Sequence, residues 1–315
     1  MVATTNYQAG VETSAAQLAY LQESAWGVPA TGQYKQLRYT GESLSGSKSR
    51  ARSNEIRPDM QASEAITQEE SAGGSLNFVL SYGTYDDILS ALLGGEWATD
   101  VLKAGTVFKS FTLEKKFGAA LFLRYPGSFL TGGTLNMARG QFLGGAFTIA
   151  SKEELSSTTT ASTPATYTPA NANRVMDPVT GVRDIQLDGA ALDTVVNAIT
   201  LNIGREGAAA DYGLGSSAAS GARMGSLLVG GTLETYFRTF ALYERFKSET
   251  QGALSWRTVD VASNAYRFTL PKASIMNPSI VAGGPNSPVM ASFTLEGNPD
   301  ATDGTLMIER IPAAP

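Results

Sequence analysis

The chain has 315 residues, 17% of them charged and 43% hydrophobic, with a net charge of −5 and a pI near 5.0. It contains neither cysteine nor histidine, which removes disulfides, thiolate nucleophiles, zinc or iron sites built on sulfur or imidazole, and every triad with a histidine base. The acidic balance argues against a surface that wraps nucleic acid by neutralising phosphates, and no apolar run approaches the roughly 20 residues of a membrane-spanning helix.

The length suits two ordinary domains or one large all-β domain, and two are expected. The first residues show neither a basic nor an apolar targeting segment, so synthesis and folding in a cytoplasm are expected. Residues 1–33 read as an N-terminal arm. Ala15 to Ser24 has an amphipathic helical texture until Trp26-Gly27-Val28-Pro29 and Gly32 interrupt it, and Leu18, Leu21 and Trp26 are expected to dock.

From Tyr34 the texture is β, with Leu37, Tyr39 and Leu44 marking a first strand. The loop Gly46 to Ser71 carries Ile56, Met60 and Ile66 as its only large apolar residues. It exceeds the about 12–15 residues of ordinary structureless loops, which predicts an extended hairpin. Its basic residues come first (Lys48, Arg50, Arg52, Arg57) and its acids later (Asp59, Glu64, Glu69, Glu70). Such arms either face each other in water, where exposed pairs contribute about 0–1 kcal/mol each, or reach a neighbouring subunit where opposite charges set register. The second reading is preferred.

Gly73-Gly74 then leads into Ser75 to Ser81, where Leu76, Phe78 and Leu80 alternate with Ser75, Asn77 and Ser81, the period of a half-buried strand. Asp86 to Leu93 predicts a short helix with two acids at its positive end, stopped by Gly94-Gly95. After an insert, Glu96 to Gly105, a hairpin is expected across Gly118 and a strand over Gly140 to Ser151. Residues 156–176, rich in Ser, Thr, Ala and Pro, read as a linker. Beyond it, strands are predicted around Ile185, Val195 to Ile203, Leu227 to Phe237, Ala253 to Val259, Tyr266 to Ile275, Met290 to Leu295 and Leu306 to Ile311. A helix is predicted over Thr239 to Ser248, and the loop Gly204 to Gly221 is rich in Ala, Gly and Ser.

The halves repeat one another. Gly73-Gly74-Ser75-Leu76 matches Gly230-Gly231-Thr232-Leu233, Phe122 to Pro126 matches Arg267 to Pro271, and Phe147-Thr148-Ile149 matches Phe293-Thr294-Leu295. Pro126 precedes Phe147 by 21 positions and Pro271 precedes Phe293 by 22, whereas Leu76 to Pro126 is 50 positions against 38 for Leu233 to Pro271. The insert Glu96 to Gly105 accounts for most of that excess. Two copies of one fold suit two equivalent wedges of a closed ring.

No chemical site emerges, so no catalytic, cofactor or metal residue is assigned. Gly41 to Lys48 is one place away from a phosphate-binding loop and no apolar helix follows it. Ser45 to Lys48 spells Ser-x-x-Lys without its partner motifs. Asn298, Asp300 and Asp303-Gly304 lack the closing glutamate of a calcium loop.

In this order, Glu23-Ser24-Ala25-Trp26-Gly27-Val28-Pro29, Leu37 to Leu44, Ser53 to Arg57, Gly74 to Phe78 and Tyr266 to Pro271 resemble the tail tube (major tail) proteins of long-tailed bacteriophages. The resemblance spans most of the chain. It implies an all-β fold with minor α: two related tube-type β-sandwich or barrel domains, 34–155 and 177–315, each with a short flanking helix. It also implies a non-enzymatic virion protein, made in the host cytoplasm, whose rings stack into a tube that DNA traverses without specific binding. With two tube domains per chain the ring would be a trimer of pseudo-sixfold symmetry, with tape-measure and tail-terminator proteins as further partners and no membrane. Lys48, Arg50, Arg52, Arg57, Glu64, Glu69 and Glu70 would be contacts between rings. Asn77 and Glu234, on wet strand faces, would line the lumen. A virion-surface or secreted β-sandwich that binds a receptor or glycan is the rival reading; it would expose aromatic residues on loops, whereas most here fall in strand or helix patterns.

Overall fold

The computed structural model describes residues 10–313. Its main strands, in chain order, are β1 (Ala16–Gln22), β2 (Ser45–Arg52), β3 (Ala65–Val79), β4 (Phe111–Phe117), β5 (Leu121–Ala138), β6 (Gly144–Ser151), β7 (Val182–Leu187), β8 (Val196–Glu206), β9 (Ser226–Tyr236), β10 (Gly252–Val259), β11 (Ala265–Val281), β12 (Met290–Asn298) and β13 (Met307–Ile311). The helices are α1 (Asp86–Leu93) and α2 (Ala241–Ser248). The chain is thus all-β with minor α.

Two long strands belong to two layers each. Leu121 to Tyr125 of β5 pairs with β4, while Leu130 to Asn136 pairs with β6. Likewise the start of β11 lies between β10 and β13, and Lys272 to Val281 pairs with β12. Pro126 and Pro271 stand where each strand changes layer, in keeping with the confinement of proline to strand irregularities and edges. Gly127 there adopts φ 66°, a conformation open to glycine at little cost.

One wide antiparallel sheet results, in the order β2, β3, β6, β5, β8, β9, β12, β11. The halves meet inside it: β5 pairs with β8 from Ala138↔Ala198 to Gly132↔Gly204. One face is apolar core. Leu76, Phe78, Phe147, Ile149, Leu201, Leu233, Phe293 and Leu295 are all buried, and burying each such side chain contributes about 1.5–3 kcal/mol. Phe78 stacks on Phe147 with centroids 4.3 Å apart.

The paired glycines mark close main-chain approaches. A Cβ on Gly231 would lie 1.9 Å from the Thr200 carbonyl oxygen, and one on Gly74 2.4 Å from that of Ser43. Gly231→Ala is therefore expected to push β8 and β9 apart and cost about 1–3 kcal/mol, the range for overpacking. Chemical denaturation checks this, and an unchanged midpoint would contradict it.

The two helices differ. Ile88 to Leu93 of α1 are all buried, whereas α2 buries only Leu242. Each is closed by a left-handed residue, Gly94 (φ 65°) and Glu249 (φ 51°).

One expectation changes, and two connecting segments take a definite course. Ala16–Gln22 is a strand rather than an amphipathic helix, because it pairs with both Phe111–Phe117 and Lys35–Leu37, and tertiary pairing overrides a weak helical period. The docking residues hold: Leu18 is buried, and the Trp26 indole N–H donates to the Gly127 carbonyl at 3.1 Å. Residues 156–176 lie against the first half, through bridges Gly32↔Ser162 and Lys35↔Thr168 and through Glu114, which accepts from the Ala161 N–H and the Tyr167 hydroxyl. Finally, the insert Glu96 to Gly105 is a small hairpin, Trp97–Ala98 with Val101–Lys103, whose second strand pairs with β13 of the second half.

Candidate assembly surfaces

Alternation along the wide sheet leaves its second face polar. One row of cross-strand neighbours runs Asn77, Ala146, Thr134, Asn202, Gly230, Glu296, Ser274. A second runs Ala138, Ala198, Glu234, Ser292, Ser279. Asn77 and Glu234 are both exposed and point to this same face. Neither row holds a basic side chain, and hydroxyl pairs such as Ser43 with Ser75 (3.0 Å) and Ser47 with Ser71 (2.8 Å) tile the neighbouring surface.

The sheet has an unpaired flank at each side. Among the described residues, no strand pairs with the outer edge of Ser274 to Val281 in β11, nor with that of Gly41 to Ser47. These flanks correspond to the two strands that meet at the β5–β8 junction. Carboxylates blunt the second flank: Glu154 accepts from the Gly46 N–H at 3.0 Å and Glu42 from the Leu44 N–H at 2.8 Å. Charged side chains on an edge prevent indiscriminate strand addition.

The long loop is the extended hairpin its length implies, β2 with β3. Its charges are largely engaged within it. Lys48 pairs with Glu70 at 2.7 Å and Arg57 with Asp59 at 2.9 Å. Arg50 donates to the Ala65 carbonyl at 2.5 Å, and Arg52 to that of Ser63. Glu64 and Glu69 are exposed. Ile56 and Met60 at the tip are 101% and 98% exposed, so the surface free to meet a partner is apolar as well as charged. The second loop is no equal of the first. It forms a short ladder, Ala209–Asp211 with Gly221–Arg223, and its tip folds onto the arm, where the Glu70 N–H donates to the Ser217 carbonyl at 2.7 Å.

The junction between halves is also tied beside the sheet. Asp86, at the start of α1, accepts from the Tyr266 hydroxyl and from Arg310 at 2.8 Å. Burial, and then the charge of Asp86, pushes the Tyr266 phenol well above its ordinary value, so it stays a donor. Arg310 lies 4.3 Å from the Trp97 ring centroid. At the other end of α1, buried Arg205 of β8 donates to the Leu92 carbonyl at 2.8 Å, a favourable place for a cation. None of these pairs is visible as a motif. Their signals were the unequal spacing of the repeats and the apolar Trp97, Val101 and Leu102 within a short insert.

The family model for phage tail tube protein matches residues 13–297. The chain belongs to the phage tail tube protein family. It is accordingly a structural rather than enzymatic protein, a component of the virion tail that self-assembles into a tube. No curated protein matches the chain in sequence. For a tail tube protein, the features to explain are surfaces between copies rather than a pocket.

Proposed function

We propose that three copies close into a ring with pseudo-sixfold symmetry, that rings stack into a hollow conduit, and that DNA passes through it during ejection. The observation that carries this reading is the β5–β8 junction. Two repeated halves join edge to edge, and the same two strand positions stand unpaired at the flanks of the sheet. Repeating that junction between copies exchanges the carboxylate contacts of Gly46 and Leu44 for main-chain ladder bonds and leaves no free edge.

The polar face, with Asn77 and Glu234, then lines the lumen. Its hydroxyls, amides and carboxylates give phosphates no cation to release ions against, so DNA slides without being gripped. The arm, with Arg50, Arg52, Arg57, Glu64, Glu69 and Glu70, reaches the next ring. Tape-measure and tail-terminator proteins are the partners such a tube requires at its bore and its end.

Native mass spectrometry and negative-stain imaging of the purified protein test the reading. Rings of three copies that stack into tubes are expected. A strictly monomeric globule at every concentration and salt would overturn it.

A further inference from the structure

We infer that Lys48 seals the junction between copies within one ring, seated at the C-terminal end of helix α2 of the neighbouring copy and paired with its Glu249. The inference rests on the ring reading above and assigns Lys48 a different partner from the rest of the arm.

Strand register makes Lys48 the counterpart of Arg205. Gly231 faces Thr200 and Leu201, and Gly74 faces Ser43 and Leu44. Counting on from these, Asn202, opposite Gly230, corresponds to Ser45, opposite Gly73, and Gly204 to Ser47. Arg205 therefore corresponds to Lys48. A basic residue stands at the same position of both repeats, just where each strand leaves the sheet.

Inside the chain, Arg205 shows what that position does. It crosses from the second half to the C-terminal end of α1, bonds the Leu92 carbonyl, and is 7% exposed. Its Nη2 atom is buried without a partner, and a Cβ on Gly94 would lie 2.8 Å from it. The long guanidinium fits because residue 94 has no side chain.

The counterpart helix ends differently. In α2 the left-handed closing residue is Glu249, exposed and at φ 51°, where a residue other than glycine is held at some cost. Its neighbouring bases are occupied: Arg245 pairs with Asp188, and Lys247 lies over the Tyr243 ring. The exchange is complementary. A long arginine meets a glycine within the chain, and a shorter lysine meets a glutamate between chains, at a helix end that itself favours a cation.

The other end of the helices agrees. Tyr266, five places before Pro271, is fully buried under the residues that start α1. Its counterpart Leu121, five places before Pro126, is 57% exposed, and Phe240 at the start of α2 is 61% exposed. Leu121 lacks within one copy the cover that Tyr266 receives at the internal junction.

Charge exchange tests the pairing. Lys48→Glu and Glu249→Lys are each expected to raise the concentration at which rings dissociate at least tenfold, and the double variant to restore rings in native mass spectrometry. Glu249 is exposed and, among the described residues, free of an ion pair within the chain, so the monomer's denaturation midpoint should not move in Glu249→Lys. Lys48→Glu also gives up the surface pair with Glu70, a kind of contact that contributes little to stability, so its midpoint should fall only slightly. Because the chain has no cysteine, a Lys48→Cys, Glu249→Cys variant joined by a short bis-maleimide should yield covalent trimers. If wild-type rings form but Lys48→Glu still closes rings, or if neither the double variant nor the linker joins copies, this pairing is wrong and the ring stands. If the wild type forms no ring, the reading beneath it fails first.

Discussion

Replacing Ile56 and Met60 together by asparagine is expected to leave rings intact and prevent them from stacking. Both side chains are fully exposed at the tip of the arm, so the isolated chain loses nothing by the change, and surface substitutions of this kind stay within about 0.5 kcal/mol. In a stack each would be buried against the next ring, at about 1.5–3 kcal/mol per side chain, repeated for every arm around the ring. The charges of the arm make a poorer probe. Reversing Arg50 and Arg52 to glutamate removes the donors that hold the Ala65 and Ser63 carbonyls, so a loss of tubes would report a damaged hairpin as readily as a missing contact. Sedimentation velocity with negative-stain imaging separates the cases for the asparagine pair. Single rings are expected, and tubes of wild-type length would show that the tip plays no part in stacking.

The sequence exposed the large design because that design is written in repetition and alternation. Leu76 and Phe78 against Asn77 set the two faces of the sheet, and the paired glycines with Phe147 and Phe293 marked the two halves. The junctions were illegible for a physical reason. Arg205 meets Leu92, and Arg310 meets Asp86, across more than a hundred positions, and a single basic residue in a strand carries no sign of the helix end it will touch. The N-terminal piece shows an amphipathic period in sequence, but Ala16–Gln22 takes its conformation from β4, which lies far along the chain. The arm stands out in the sequence by its length and its charges, yet most of these charges are engaged inside the hairpin, and Ile56 and Met60, in sequence only apolar residues of a loop, are the apolar side chains it exposes most fully.

Glu114 gives the largest expected effect on the stability of a single copy. Its side chain is fully buried, an uncommon place for a carboxylate. It is tolerated because donors surround it: Arg124 Nε at 2.7 Å, the Ala161 N–H at 2.7 Å, the Tyr167 hydroxyl at 2.7 Å and the Thr160 hydroxyl. Burial, and then the bond to Glu114, raises the Tyr167 phenol above its ordinary range, which keeps it a donor. Three of the four donors belong to the segment between the halves, so one carboxylate binds that segment to the strand beneath it. Glu114→Ala leaves Arg124 without its counter-charge and the other donors unpaired, and breaking a buried pair from one side costs about 3–5 kcal/mol, a large share of the roughly 5–15 kcal/mol that holds a domain folded. Glu114→Gln, which keeps an acceptor and the shape but not the charge, should cost less. Chemical denaturation should show the midpoint falling in that order, and limited proteolysis should cut the alanine variant first between Ser156 and Asn173. Equal midpoints for the two variants and the wild type would mean that the segment is held by its remaining contacts. A lower midpoint without new cleavage would place the loss in the pairing of β4 with β5 instead.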